Sequence, residues 1–213
     1  MLEDQNNKET FWSQFATDFE KSNTYVVGEE TQNEIFKWIG QLPDLKETLE
    51  LGSGDGAYTQ RLYPKTTKYH ATDLSDQMLD QLQLRFNNQP DLSIEKINCL
   101  KTPYQNECFD TVVMANLYHI IPHPNMALME TYRILRPGGK LILISFTKYQ
   151  MKFINKVGMI HRYMKTYKKQ APNARVLVPQ EVHRDLNNAN FEIEQSKLIG
   201  NDTHAICIIA TKK

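Results

Sequence analysis

Cysteine is scarce in this sequence. Cys99, Cys108 and Cys207 are its only three, odd in number and without the paired spacing of a metal site or a disulfide framework. No structural metal is therefore expected, and a reduced, cytoplasmic setting is the simplest reading. Long apolar runs are missing too. With no stretch of about 18 apolar residues, no membrane span is expected. The opening MLEDQNNKETFW is polar and acidic, without the apolar centre of a secretory signal. Nor does either charge dominate: Lys plus Arg and Asp plus Glu both number 25. That balance argues against a dedicated nucleic-acid binder, so DNA is not an expected partner and RNA is disfavoured. Repeats and low-complexity linkers are absent. A chain of 213 residues, 40% of them hydrophobic, is then read as a single domain over 1–213, large enough to bury a proper core.

What is present has an order. The first 45 residues read as helical. Phe11, Phe15 and Phe19 fall four apart, and Ile35, Phe36, Ile39 and Leu42 make a second stripe. Residues 1–44 would form a helical cap, with SNTYVVGEETQ inside it as a loop followed by a helix start. After Pro43 strand and helix patterns alternate. Strands are expected over 47–51, 69–72, 93–97, 111–115 and 140–146, and helices over 56–65, 75–88 and 124–135. That order implies a parallel sheet with helices on both faces. The runs VVMA and LILIS should be buried on both sides. A long helix over 148–170 follows, with Phe153, Val157, Ile160, Met164 and Tyr167 on one face. After a Pro-containing loop come a helix over 179–189 and two strands, 191–199 and 203–211, whose GND turn predicts an antiparallel hairpin.

Glycine is also sparse, nine in all, yet three fall within five residues of TLELGSGDGAYTQRL at 52, 54 and 56. A strand, a glycine turn and a helix would set a ligand at the carboxyl end of a parallel strand. The alternative is a tight turn with no ligand. The dinucleotide signature needs G-x-G-x-x-G. Here the spacing is G-x-G-x-G, and Glu50 stands two residues before Gly52. A carboxylate there would repel a pyrophosphate and suits a positively charged ligand.

LELGSGDGAYT resembles the first motif of the class I S-adenosylmethionine (SAM)-dependent methyltransferases. YHATDLSDQML resembles that family's second strand, INCLKTPYQNECFDTVVMANLYHIIPHP its third and fourth, and RILRPGGKLILIS the turn into its fifth. The match covers about residues 45–147, and NFEIEQSKLI…HAICIIATKK fits the closing hairpin. The subgroup resembles the ubiquinone and menaquinone biosynthesis methyltransferases, which act on small molecules. The resemblance implies a doubly wound, Rossmann-like α/β fold: a seven-stranded, mostly parallel sheet with a C-terminal antiparallel hairpin and helices on both faces. It implies SAM as cofactor and S-adenosylhomocysteine (SAH) as product. Glu50 would orient the turn and the methionine ammonium, directly or through water. Gly52, Ser53, Gly54 and Gly56 would form the turn against the cofactor. Asp73 would accept from the ribose hydroxyls, although it could instead cap the next helix, a task Ser75 suits better. Leu74 and Met78 would flank the adenine, or simply pack in the core. Asn98 and Cys99 stand where the family usually has Asp and Ala; Asn98 keeps an acceptor oxygen but no charge. Asn116 and Leu117 would pass under the methionine part.

Methyl transfer asks the protein mainly to align an acceptor and exclude water. A base is needed only for a protonated acceptor. His119 and Tyr118, just past the fourth strand, are the candidates; a structural role is the competing reading of His119. Tyr25 could fold over the cofactor or be a surface residue. Residues 148–178 sit where the family builds its acceptor pocket, as a helical lid, with Phe153, Val157, Ile160 and Met164 as candidate acceptor contacts. Within 148–170 lie Lys148, Lys152, Lys156, Arg162, Lys165, Lys168 and Lys169 and no acid. This basic face could be solvated surface, or could meet an anionic acceptor, an anionic membrane or RNA. The expected reaction is methyl transfer from SAM to a small-molecule or lipid-like acceptor. A non-catalytic SAM-binding module and a dinucleotide-dependent oxidoreductase are the alternatives. Oligomeric state leaves no mark in the sequence.

Overall fold

The computed structural model describes residues 11–213; the first ten residues of the expected N-terminal cap lie outside them. Two helices, α1 (Phe19–Val27) and α2 (Glu29–Gly40), precede an alternating array. It runs β1 (Lys46–Leu51), α3 (Thr59–Leu62), β2 (Thr66–Asp73), α4 (Asp76–Arg85), β3 (Leu92–Lys96), β4 (Phe109–Ala115), α5 (Pro124–Ile134) and β5 (Leu135–Thr147). Helices α6 (Phe153–Tyr167) and α7 (Pro179–Asn188) follow, then β6 (Phe191–Ile199) and β7 (His204–Lys212).

The seven strands form one sheet in the order β3-β2-β1-β4-β5-β7-β6. The first five run parallel, with Leu49 beside Val112 and Val113 beside Ile142. β7 is antiparallel to β5, with Ile144 beside Cys207, and β6 closes the hairpin. This is the seven-stranded, doubly wound arrangement that the strand–helix alternation predicts. The strand order reverses between β1 and β4, so a crevice opens outside their carboxyl ends, where open α/β sheets bind ligands.

Continuous apolar strands make sense because helices cover both faces. Successive residues alternate sides. Val112 and Met114 pack with Leu128, Val182 and Leu186 under α5 and α7, while Val113 and Ala115 pack with Ile35, Ile39 and Leu82 under α2 and α4.

Three local expectations fail. SNTYVVGEETQ is not a loop: Ser22–Val27 complete α1, and Gly28, at φ 92°, turns the chain directly into α2. Only glycine adopts that conformation at no steric cost. The helix expected over 56–65 shrinks to α3 and a short 3₁₀ turn at Tyr63–Lys65, in which Pro64 sits at the start. The long helix over 148–170 is confined to Phe153–Tyr167. It ends where Lys168 takes a left-handed conformation and its N–H bonds to the Met164 carbonyl, a common helix stop.

Candidate functional site

A cavity of about 510 Å³ lies outside the carboxyl ends of β1, β2 and β4. That volume is within the range of small-molecule sites. Gly52, Gly54, Asp73, Leu74, Met78, Asn98, Cys99, Asn116, Leu117, His119, Ile160 and Met164 all line it. Five segments far apart in sequence are thus brought to one cavity, four of them by the sheet and the fifth by α6.

The three glycines serve different ends. Gly52 (φ 72°) lies under Leu117: an added Cβ would stand 2.9 Å from the Leu117 side chain. At Gly56 (φ 85°) a Cβ would press to 2.8 Å from the Phe86 ring; this glycine is a packing residue and does not line the cavity. Gly54 (φ 56°) meets nothing nearer than Phe19 at 3.7 Å, on a wall of the cavity. A methyl there would occupy ligand space. Gly54→Ala should therefore cost about 1–2 kcal/mol of stability from its left-handed backbone, and lose SAM affinity beyond what that strain explains. A melting curve and a calorimetric titration check both; a wild-type Kd would make Gly54 a turn residue only.

Asp73 ends β2. Its Oδ2 accepts from the Gly54 N–H at 2.9 Å and its Oδ1 from the Ser75 N–H at 2.9 Å. The carboxylate is held at the cavity wall by backbone on two sides. It is not the helix cap: Ser75 Oγ accepts from Met78 N–H at 3.3 Å and starts α4. Asn116, at φ 55°, follows β4. Its Oδ1 accepts from Phe146 N–H at 3.2 Å and its Nδ2 donates to the Tyr58 hydroxyl at 3.0 Å. One short side chain so ties the ends of β4 and β5 to the turn after β1. Asn98 Oδ1 accepts from the Leu100 N–H at 3.0 Å. Its acceptor oxygen is turned toward its own loop.

Glu50 does not reach the cavity wall. It is fully buried, with Oε2 accepting from Thr59 Oγ1 and, at 2.8 Å, from the Tyr69 hydroxyl. Its other oxygen, Oε1, is buried with no partner. Burial pushes this carboxyl up to about 7. Ser53 also stays off the main cavity and lines a smaller adjoining one, with Asn23, Gln32, Asp55, Tyr58 and Asn116.

His119 is on the cavity wall. Its Nδ1 is 2.9 Å from Ser145 Oγ, and burial, with the Arg175 charge nearby, pushes its pKa down to about 4. The imidazole is neutral at pH 7. Tyr118 is not beside it. In the turn after β4, His119 meets the cavity while Tyr118 enters the core, fully buried, with its hydroxyl 3.0 Å from Asp185 Oδ2. Burial and that carboxylate raise its pKa above the ordinary value, so it is no base. Tyr25 stands on α1, half exposed and away from the cavity.

Helix α6 overturns a further expectation. Its apolar residues do not all point inward: Phe153 is 80% exposed, and Val157 is off the cavity. The helix leans on α1 and the N-terminal aromatics through Met159, Tyr163 and Tyr167. Ile160 and Met164 therefore sit at the cavity edge and the helix start projects into solvent. Arg162 is not free surface charge, because its Nε donates to the Val26 carbonyl at 3.0 Å. Sequence reasoning missed Trp12, Asn23, Phe146, Tyr163 and Arg175 on the cavity wall. The aromatic spacing of 11–19 marks a helix face but carries no sign of a ligand.

A carboxylate presented by two backbone N–H groups and a glycine opening onto the cavity fit a nucleoside such as SAM. The comparisons agree with the geometry. Residues 49–143 match the family described as methyltransferase domain. An uncharacterized methyltransferase-like protein of Schizosaccharomyces pombe is 33% identical over 144 residues, which is 65% of this chain and 54% of that protein. The ubiquinone/menaquinone biosynthesis C-methyltransferase of Bartonella quintana is 28% identical over 134 residues, 59% of this chain and 51% of that enzyme. The chain thus spans about half the length of the curated relatives it matches. A SAM-dependent methyltransferase from Aquifex aeolicus shares the fold, with a TM-score of 0.69 at 18% identity over 94% of this chain and 98% of that one.

Proposed function

We propose, from the match of residues 49–143 to a methyltransferase domain, that the chain is a SAM-dependent methyltransferase that moves the methyl group of SAM to a small-molecule or lipid-like acceptor. One observation carries this reading. The residues suited to the cofactor and those suited to an acceptor line a single continuous cavity, from Asp73 and Gly54 at one side to His119, Ile160 and Met164 at the other.

SAM supplies a methyl group already activated on a positively charged sulfur. This chain's residues bind, orient and keep water out. Asp73 would hold a hydroxyl pair, Leu74 and Met78 would present an apolar slot to the base, and the turn at 52–54 would take the methionine part. His119 stays unprotonated at neutral pH, so it can accept a proton only from an acidic acceptor group. Catalysis then comes chiefly from alignment.

Helix α6 and the loop after it would cover the acceptor end, as Trp12 and α1 would cover the cofactor. Phe153 and Ile154 are 80% and 72% exposed beside Lys152 and Lys156, which suits shallow contact with an anionic membrane surface. No helix among the described residues is long and apolar enough to cross a membrane.

Isotope-labelled SAM, incubated with the protein and a metabolite and lipid extract, tests the reading. A labelled product found by mass spectrometry is the expected result. SAM binding without any labelled product would identify a binding module instead. With anionic vesicles present, the Lys152→Gln/Lys156→Gln variant should keep its SAM affinity, lose activity several-fold and lose much of its salt dependence. Unchanged activity at low salt would leave the basic face as solvated surface.

A further inference from the structure

We infer that Arg175 is an anchor for a carboxylate on the acceptor, so that the substrate class is an apolar carboxylic acid. The inference rests on the reading of the cavity as a joint cofactor and acceptor site.

The cavity is walled mainly by apolar side chains, among them Val26, Ile120, Ile121, Phe146, Met159 and Tyr163. Among the described residues its one carboxylate is Asp73, on the side read as the cofactor's, and two cations stand on the wall, Lys148 and Arg175. Arg175 is held firmly. Its backbone N–H donates to the His119 carbonyl at 3.1 Å, its Nη2 donates to the Tyr118 carbonyl at 2.7 Å, and its guanidinium lies 4.8 Å over the Tyr118 ring. Tyr118 is fixed in turn by Asp185. The arginine is therefore pre-positioned beside His119.

It is also under-used. A guanidinium has five N–H donors. Among the described residues, side-chain donation from Arg175 goes to Tyr118 alone, its Nε is buried with no partner, and it makes no ion pair with a carboxylate. A half-buried cation with spare donors and no counter-ion is costly to keep unless something pairs with it. A planar carboxylate, taking two parallel N–H bonds, matches the guanidinium fork better than any neutral group. The apolar walls require the rest of that molecule to be hydrophobic. The cofactor's own carboxylate is the competing occupant. It belongs at the turn, where the adjoining small cavity is lined by Gly52, Ser53, Asn23 and Gln32, whereas Arg175 stands against the segment beyond β4.

The test uses octanoate and cinnamate as probes, each against its neutral amide, titrated into the chain saturated with SAH. In the native chain the carboxylates should bind at least tenfold tighter than the amides. Arg175→Met should bring each pair within about twofold while leaving SAH affinity within twofold. Arg175→Lys, which keeps the charge without the fork, should cut the carboxylate preference at least threefold and serves if the Met variant fails to fold. No preference in the native chain, no carboxylate binding, or a preference unmoved by either substitution overturns the inference. A tenfold or larger loss of SAH affinity in the variants would assign Arg175 to the cofactor and overturn it as well. If the native chain does not bind SAH at all, the methyltransferase reading itself falls, which is a distinct result.

Discussion

Replacing Asp73 by alanine should weaken SAM binding roughly 10- to 150-fold. The range follows from the loss of about one hydrogen bond to a charged group, about 1.5–3 kcal/mol, at about 1.4 kcal/mol per tenfold in affinity. Two losses add up at this position. The carboxylate would accept from a vicinal diol, a paired contact stronger than two neutral ones. It also holds the Gly54 and Ser75 N–H groups, so its removal loosens the glycine turn from the end of β2. Asp73→Asn separates the two effects. Its amide oxygen can keep one backbone donor, so the turn should survive while the charge is lost, and affinity should fall to an intermediate value. Calorimetry on variants whose melting curves show a cooperative fold decides it. An unchanged Kd in Asp73→Ala removes Asp73 from the site. Tighter binding of a nicotinamide dinucleotide than of SAM in the native chain would remove the family reading altogether.

The place of Asp73 at the cavity wall is legible in the sequence because it depends on strand position alone. An acid at the end of the second strand of an alternating array must lie beside the first turn, whatever the rest of the chain does. The same holds for Gly52, Gly54, Asn116 and Leu117, which the parallel register of β1 and β4 brings together. The residues misplaced are those whose direction depends on tertiary packing. A helical period shows that Phe153, Val157, Ile160 and Met164 share a face, but not which way that face turns. Helix α6 rotates to satisfy Met159, Tyr163 and Tyr167 against the N-terminal aromatics, and Phe153 is left outside. Tyr118 and His119 part company because the Tyr118 hydroxyl is drawn to Asp185 in the core, a partner 67 residues away in sequence. Arg175 had no signal at all: it sits in an irregular loop, and its importance comes from the Tyr118 and His119 carbonyls it meets.

Glu50 shows where the fold and the site compete. Its carboxyl is completely buried, accepts on one oxygen only, and titrates near 7 rather than at the ordinary 4.5. The folded chain therefore holds this proton more tightly than the unfolded chain. Its favourable contribution is complete below about pH 4.5 and is lost as the pH rises through 7. At pH 8 the ionised carboxylate costs the fold roughly 3 kcal/mol. Glu50→Gln removes that cost, since its amide oxygen can still accept from Thr59 and Tyr69. The variant should melt about 6–12 °C above the native chain at pH 8, and the gap should nearly close at pH 5. The same change deletes a negative charge beneath the turn that would take a cationic cofactor, so SAM affinity should fall. A site that stores instability in this way commonly does so for function. Equal melting temperatures at pH 8 would show that the carboxylate is satisfied in the fold. A gain in stability with no loss of SAM binding would confine Glu50 to structure and leave the charge of the ligand to be met by Asp73 alone.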